Sequence, residues 1–239
     1  MAQSPAAQPS DWNFAVGAGV AVFPRYPGAK AERALPLPVL SASYKDIFFA
    51  DTVKGLGVQT EVMKGLTVSA AVGASIDERK RKDNPKLAEL HDISAAPALV
   101  FGTDYVIGRA FIDLNLSERI GRQDRKGGVA SLDLGYNVWN GSGLNLGVGA
   151  TAQAMDKTYA KNFFGIDAAQ AAASGLPVFD AKAGLKDAGL FAQGQYKIDD
   201  HWSLSSRVAF VKLAGNANRS PVVERMTQPS IFLTISRAF

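Results

Sequence analysis

The sequence predicts an all-β protein, a transmembrane antiparallel up-and-down β-barrel of about twelve strands, with about ten as the alternative. Three observations predict it. Apolar and polar residues alternate with period two in run after run between Trp12 and Phe239. The connectors between runs fall into two length classes that alternate strictly beyond the first hairpins. No run approaches the ~18 apolar residues of a transmembrane helix, which excludes a helical membrane protein but not a barrel. A soluble sandwich also alternates, so the connectors discriminate better than the periodicity. Short turns at one end and long loops at the other are expected of outer-membrane barrels.

The runs follow in order. Trp12, Phe14, Val16, Ala18, Val20 and Val22 share a face, opposite Asn13, Gly17 and Gly19. The second run carries Pro36 and Pro38, which cannot donate ladder hydrogen bonds, so an irregular or bulged strand is expected there. Segments 47–53 and 56–63 form the weakest pair; were they a single irregular strand, the count would fall to about ten. Leu66, Val68, Ala70, Val72 and Ile76 oppose Thr67, Ser69, Gly73 and Ser75. Ala110, Ile112, Leu114 and Leu116 oppose Asp113, Asn115 and Ser117. Leu132, Leu134, Tyr136 and Val138 oppose Ser131, Asp133 and Asn137. Leu144, Leu146, Val148 and Ala150 oppose Asn145, Gly147, Thr151 and Gln153. Leu190, Ala192 and Tyr196 oppose Gln193, Gln195 and Lys197, and Trp202, Leu204, Val208 and Phe210 oppose Ser203, Ser205 and Arg207.

Short turns fall near Lys45–Asp46, Lys64–Gly65, 106–108, 139–143 and Asp199–Asp200; long connectors fall near 24–33, 78–91, 120–127, 156–185 and 214–226. The longest carries a helix signal. Asp167 can cap, 168–173 are mostly strong helix formers, and Ser174–Gly175 supplies a stop before Pro177. A short helix in a long extracellular loop is therefore expected, folded over the mouth or into the lumen.

In the last run Ile231, Leu233, Ile235 and Phe239 share one face, and Phe232, Thr234, Ser236 and Ala238 the other. A closing strand that ends on an aromatic residue resembles the membrane-insertion signal of bacterial outer-membrane barrels. Arg237 departs from that pattern, but near the interface an Arg can snorkel. Aromatic residues at short-turn ends, among them Trp12, Tyr44, Tyr136, Trp139 and Trp202, suit an interfacial girdle. Residues 1–11 have neither a basic n-region nor an apolar h-region. They read as the flexible start of a mature exported chain, its signal peptide removed and an initiator Met added. The expected domain is a single barrel over 12–239.

Cysteine is absent, so disulfide and thiolate chemistry are excluded. Net charge is +4, and the cations cluster. Arg79, Lys80, Arg81 and Lys82 form one group, and Arg122, Arg125 and Lys126 lie in another. These are candidate sites for lipopolysaccharide phosphates, or solvated loop charge. They lack interleaved aromatics and a recognition helix, which excludes nucleic acid as the expected partner. The candidate lumen set is Asp113, Asn115, Arg119, Asp133, Gln153, Gln193, Lys197 and Arg207. It could form a salt-bridged plug or line a narrow polar pore.

No catalytic, cofactor or metal constellation emerges, so no enzyme is expected. His201 has Ser203 and Ser205 nearby, but residues i and i+2 on a strand lie ~7 Å apart. Asp77, Glu78, Asp83 and Glu89 are interleaved with basic residues, which favours solvated loop charge over a cation site.

Two long blocks and one short one carry a family resemblance. The first block contains Phe163–Phe164–Gly165–Ile166, Gln170–Ala171, Ser174–Gly175–Leu176, Phe179–Asp180–Ala181 and Gly184–Leu185–Lys186–Asp187. The second contains Trp202, Leu204, Leu213, Gly215, Asn216, Ala217, Ser220, Pro221 and Val222, with Asn216 where the family usually carries Asp. A Gly-rich start leads to Pro24, Tyr26 and Gly28. The chain thereby resembles the MipA/OmpV family, named for interaction with a murein lytic transglycosylase. The resemblance implies location in the bacterial outer membrane, contact with its lipid, and a scaffold role linking a murein lytic transglycosylase to a peptidoglycan synthase. The alternative is a porin-like channel for small hydrophilic solutes. Phe163, Phe164, Asp167, Gln170, Leu176 and Phe179 are candidates for anchoring the long loop or contacting a partner.

Overall fold

The computed structural model describes residues 11–122 and 126–239; the rest of the N-terminal segment and residues 123–125, including Arg125, lie outside it. Twelve antiparallel strands close into a barrel in which each pairs with its chain neighbours and β1 pairs with β12. They are β1 (Trp12–Pro24), β2 (Glu32–Tyr44), β3 (Phe48–Asp51), β4 (Gly55–Met63), β5 (Leu66–Ser75) and β6 (Ala96–Ile107). β7 (Ala110–Arg119), β8 (Gly127–Gly141), β9 (Leu144–Met155), β10 (Gly184–Lys197), β11 (Trp202–Leu213) and β12 (Thr227–Ala238) complete it. Two helices, α1 (Lys157–Phe164) and α2 (Ala168–Ser174), lie in the loop between β9 and β10.

The alternating faces sort as the sequence predicts. The outer face carries exposed Val16, Leu114, Leu190, Phe210, Ile231 and Leu233, the band that lipid covers. Trp12, Tyr136, Trp139 and Trp202 stand exposed at the short-turn end. A bulge between Asn137 and Trp139 re-aims the Trp139 side chain onto the outer face beside Leu146. At the closing strand, the Arg237 guanidinium lies 4.7 Å over the Phe239 ring, and Phe239 N donates to Phe14 O at 2.9 Å. The one charge in the closing segment is thereby seated on the terminal aromatic.

The second strand differs from the expectation. β2 is neither irregular nor bulged; all thirteen residues pair in unbroken register with β1. The prolines are tolerated because of where their nitrogens point. Leu40 N donates to Thr52 Oγ1, and Thr52 N donates to Leu40 O, so even-numbered positions of β2 aim their backbone groups toward β3. β3 pairs only with residues 41–44 of β2, leaving no ladder partner at Pro36 or Pro38. The missing donors fall on an unpaired edge.

α2 follows its sequence signal closely. Asp167 Oδ1 accepts from Gln170 N, Gln170 Oε1 accepts from Asp167 N, and Gly175 ends the helix at φ 71°. α1 was not expected. Asp156 caps it by accepting from Tyr159 N at 2.6 Å.

Candidate functional site: a capped lumen

The long loops do not stand apart. Tyr26 and Ala29 from the β1–β2 loop, Leu87, Leu90 and Ile93 from the β5–β6 loop, Tyr159, Phe163, Phe164 and Ile166 from the β9–β10 loop and Ala217 and Val222 from the β11–β12 loop form one buried apolar cluster. Lumen-facing Met155 of β9 and Leu213 of β11 join it from below, so the cluster sits in the barrel mouth as a cap. Each large buried side chain contributes ~1.5–3 kcal/mol to holding the cap in place.

Polar contacts fix its register. Arg79, 2% exposed, donates through Nη1 to Phe163 O at 2.7 Å. Burial pushes its guanidinium down to about 10, partly opposed by Tyr26 and Asp92. The Tyr26 hydroxyl donates to Val222 O and lies 3.1 Å from Glu224 Oε2, and burial with that carboxylate raises its pKa. The Tyr159 hydroxyl donates to Asp77 Oδ2 at 2.6 Å; burial first, then Asp77, raises it well above the usual value. Ser220 Oγ donates to Phe164 O. Gly127 permits the approach of α1. Its φ is 132°, and a Cβ there would lie 2.5 Å from Tyr159 N.

The cap joins the wall through lumen-facing residues. Arg119 donates to Ser75 Oγ, Asp77 O and Ser94 O, and lies 5.2 Å from the Phe163 ring centroid. A β10 bulge between Leu185 and Asp187 turns Lys186 and Asp187 both inward, where they pair at 3.3 Å. Lys186 also donates to Gln153 Oε1 and lies 5.6 Å over the Tyr159 ring.

Below the cap, a second layer fills the lumen. The Phe111 and Phe191 rings pack at 6.1 Å over Gly135 and Gly149, where added Cβ atoms would strike ring carbons at 2.0 and 2.5 Å. Arg207 stacks 3.9 Å over Phe191, bonds Asp133 at 2.7 Å and donates to Gln193 Oε1 at 3.2 Å. Asp104, Asp113 and Asp133 are direct cross-strand neighbours, with Arg207 reaching the last. Between the layers lies a cavity of about 550 Å³.

The expected lumen residues thus converge, apart from Lys197, which is exposed at the short-turn rim. Asn115 also faces inward, beside Gly102. Sequence reasoning missed Phe111 and Phe191, although they share parity with Asp113 and Gln193 and face strands rich in glycine.

One expected contact, at Arg79, is corrected, and the loop candidates fall on the anchoring side of their two alternatives. Arg79 is buried beneath α1, so it is not part of an exposed anion-binding cluster. Phe163 and Phe164 are 1% and 0% exposed, so they are packing anchors of the cap rather than partner contacts. Asp167 and Gln170 are spent on capping α2; Leu176 and Phe179 pack half-buried against the cluster. Arg81, Lys82, Arg122 and Lys126 are exposed at the long-loop end, while Lys80 bonds Ser94 Oγ. Ser203 Oγ lies 3.1 Å from Ser236 Oγ, and no group of three metal-ligating side chains forms among the described residues.

A closed antiparallel barrel with an apolar outer band, an aromatic girdle and unequal ends defines an outer-membrane β-barrel protein. Within that class, the family model described as "MltA-interacting protein MipA" matches residues 16–239, and the chain belongs to that family. Similar solved structures include OmpT of Vibrio cholerae, with 8% identity, TM-score 0.40 and 96% and 97% of the two chains covered. Another is the anion-selective porin from Comamonas acidovorans, with 10% identity, TM-score 0.41 and 95% and 98% covered. Salmonella typhi OmpF in complex with daunomycin shows 10% identity, TM-score 0.41 and 95% and 97% covered. No curated protein matches the chain significantly.

Proposed function

We propose that this chain is a non-enzymatic, non-conducting outer-membrane anchor that serves envelope assembly as a scaffold. The observation that carries the reading is the cap. A diffusion channel needs a continuous wet path, and here the mouth is occupied by an apolar cluster whose central side chains are fully buried. The cap and the Arg207 layer together weigh against the porin alternative. The family's description supports a murein lytic transglycosylase as partner, joined to a peptidoglycan synthase. The partner surface is then the short-turn end, where both barrel termini emerge. The exposed cations Arg81, Lys82, Arg122 and Lys126 suit lipopolysaccharide phosphates at the opposite end.

Detergent extracts provide the test. Tagged protein should recover the transglycosylase above an unrelated barrel of similar size. Recovery equal to that control removes the scaffold role.

A further inference from the structure

The barrel wall is incomplete on one side. β3 has four residues, against thirteen in β2 and ten in β5. Above the β3–β4 turn, residues 32–39 of β2 have no ladder partner on that edge, and β4 pairs with β5 only as far as Val72. No strand ladder joins β2 to β5 among the described residues. The result is a window in the wall. Its sides are β2 and β5, its sill is the turn at 52–54, and its lintel is Arg33. That side chain crosses from β2 to donate to Ile76 O at 2.8 Å and pairs with Glu78 at 3.5 Å.

The cavity beneath the cap reaches this frame. Its lining runs from lumenal Arg119 and Lys186 to Arg33, Val53, Ala74 on the outer face of β5 and Ile76 just beyond its end. The outward positions around the frame are Ala34, Pro36, Pro38, Leu40, Val72, Ala74 and Ile76, all apolar, so the opening faces lipid rather than water. Val53 on the sill is 76% exposed. Pro36 and Pro38 remove two donors that would otherwise stand unsatisfied in hydrocarbon along the β2 edge. The chain is built for an open edge at this place.

The cavity's charge selects the occupant. Arg33, Arg119, Lys186 and Arg207 line it with Asp77 and Asp187, and Arg33 and Arg207 also pair with Glu78 and Asp133 behind the lining, so the cations are the groups presented to the cavity. Arg33 Nε is buried without a protein acceptor. About 550 Å³ lies within the range of sites that hold one small organic molecule, and suits a single acyl chain better than two.

We propose that the window is a lateral entrance by which a single-chain amphiphile with an anionic head, of the fatty-acid class, passes from the membrane into the capped cavity. The acyl chain crosses the sill at Val53, between the apolar outward positions of β2 and β5, and the carboxylate meets the cationic lining at Arg33. This inference goes beyond the anchoring role and holds whether or not a murein enzyme binds.

The test uses the full chain in phosphatidylcholine vesicles with two photoreactive probes, diazirine palmitate and a diazirine two-chain phospholipid. Crosslinked peptides are mapped by mass spectrometry. Palmitate is expected to label peptides bearing lumenal Phe23 and Phe232, in competition with unlabelled palmitate. Ala74→Trp, which fills the window from outside, should lower that labelling about tenfold. Leu190→Trp on the far outer wall should leave it unchanged, which separates a blocked window from a disturbed barrel. Equal lumenal labelling in Ala74→Trp, or labelling confined to outward residues, overturns the entrance. Lumenal labelling by the phospholipid instead of palmitate overturns the assignment of the ligand.

Discussion

Arg207 on β11 reaches Asp133 on β8 across two intervening strands, Nη2 to Oδ2 at 2.7 Å. The bond ties two non-adjacent strands of the wall together inside the lumen and supplies the cation beside three neighbouring carboxylates. Arg207→Met is expected to cost ~1–3 kcal/mol, because it leaves Asp133 half-buried without its partner. Asp133→Asn in the same chain should restore part of the loss. Urea unfolding of the two single variants and the double variant measures the coupling.

Gly127→Ala should loosen the cap while leaving the barrel closed. The new Cβ would strike the α1 backbone, at a φ that side-chain-bearing residues rarely adopt. Trypsin added to the long-loop side of oriented vesicles should then cut at Lys157 or Lys161 faster than in the native chain. Gly184→Ala has positive φ but nothing within 4 Å of its added Cβ, so it should show strand-end strain without exposing α1.

The cap should weaken in alkali. Tyr26 and Tyr159 both have folded pKa values above the usual 10.0. Their stabilising contribution is complete below that value. It declines as the pH rises above it, where the unfolded tyrosines ionise and the folded ones do not. Protection of α1 from trypsin should therefore hold up to about pH 10 and decline progressively above it. A Tyr26→Phe, Tyr159→Phe double variant should be less protected near neutrality and flatter across that range.

Arg79 and its sequence neighbours should separate cleanly. Arg79→Met removes the donor to Phe163 O and should destabilise the cap by ~1–3 kcal/mol. Lys82→Ala should leave stability within ~0.5 kcal/mol of native. If the exposed cations hold lipopolysaccharide, their combined removal should lower its retention at fixed salt.

Much of the barrel was legible because strand parity is a local signal. Each inward polar residue announces its face, and a charged residue on the lipid side is rarely affordable. The closing strand, the twelve-strand count and α2 followed from alternation, turn chemistry, the Asp167 cap and the stop at Gly175. Other features depend on distant chain. KTYAKNFF carries a short helical stripe at Tyr159, Ala160, Phe163 and Phe164, but over only eight residues, and the stripe finds its partners in residues from three other loops. Arg79 looked like one of four surface cations, and only the position of α1 above it makes it buried. Pro36 and Pro38 signalled irregularity, whereas their meaning lay in the shortness of β3, a property of the neighbouring strand. Phe111 and Phe191 were hidden by an expectation that lumen positions are polar.

Single-channel conductance in a planar bilayer, with a variant lacking residues 157–182 beside the intact protein, tests the capped-barrel account most directly. The account predicts silence from the intact chain at neutral pH and, at most, narrow or flickering steps from the deletion, because the Phe111–Phe191–Arg207 layer remains below the cap. Steady conductance from the intact chain would contradict it and make the lumen charges the selectivity filter of a porin.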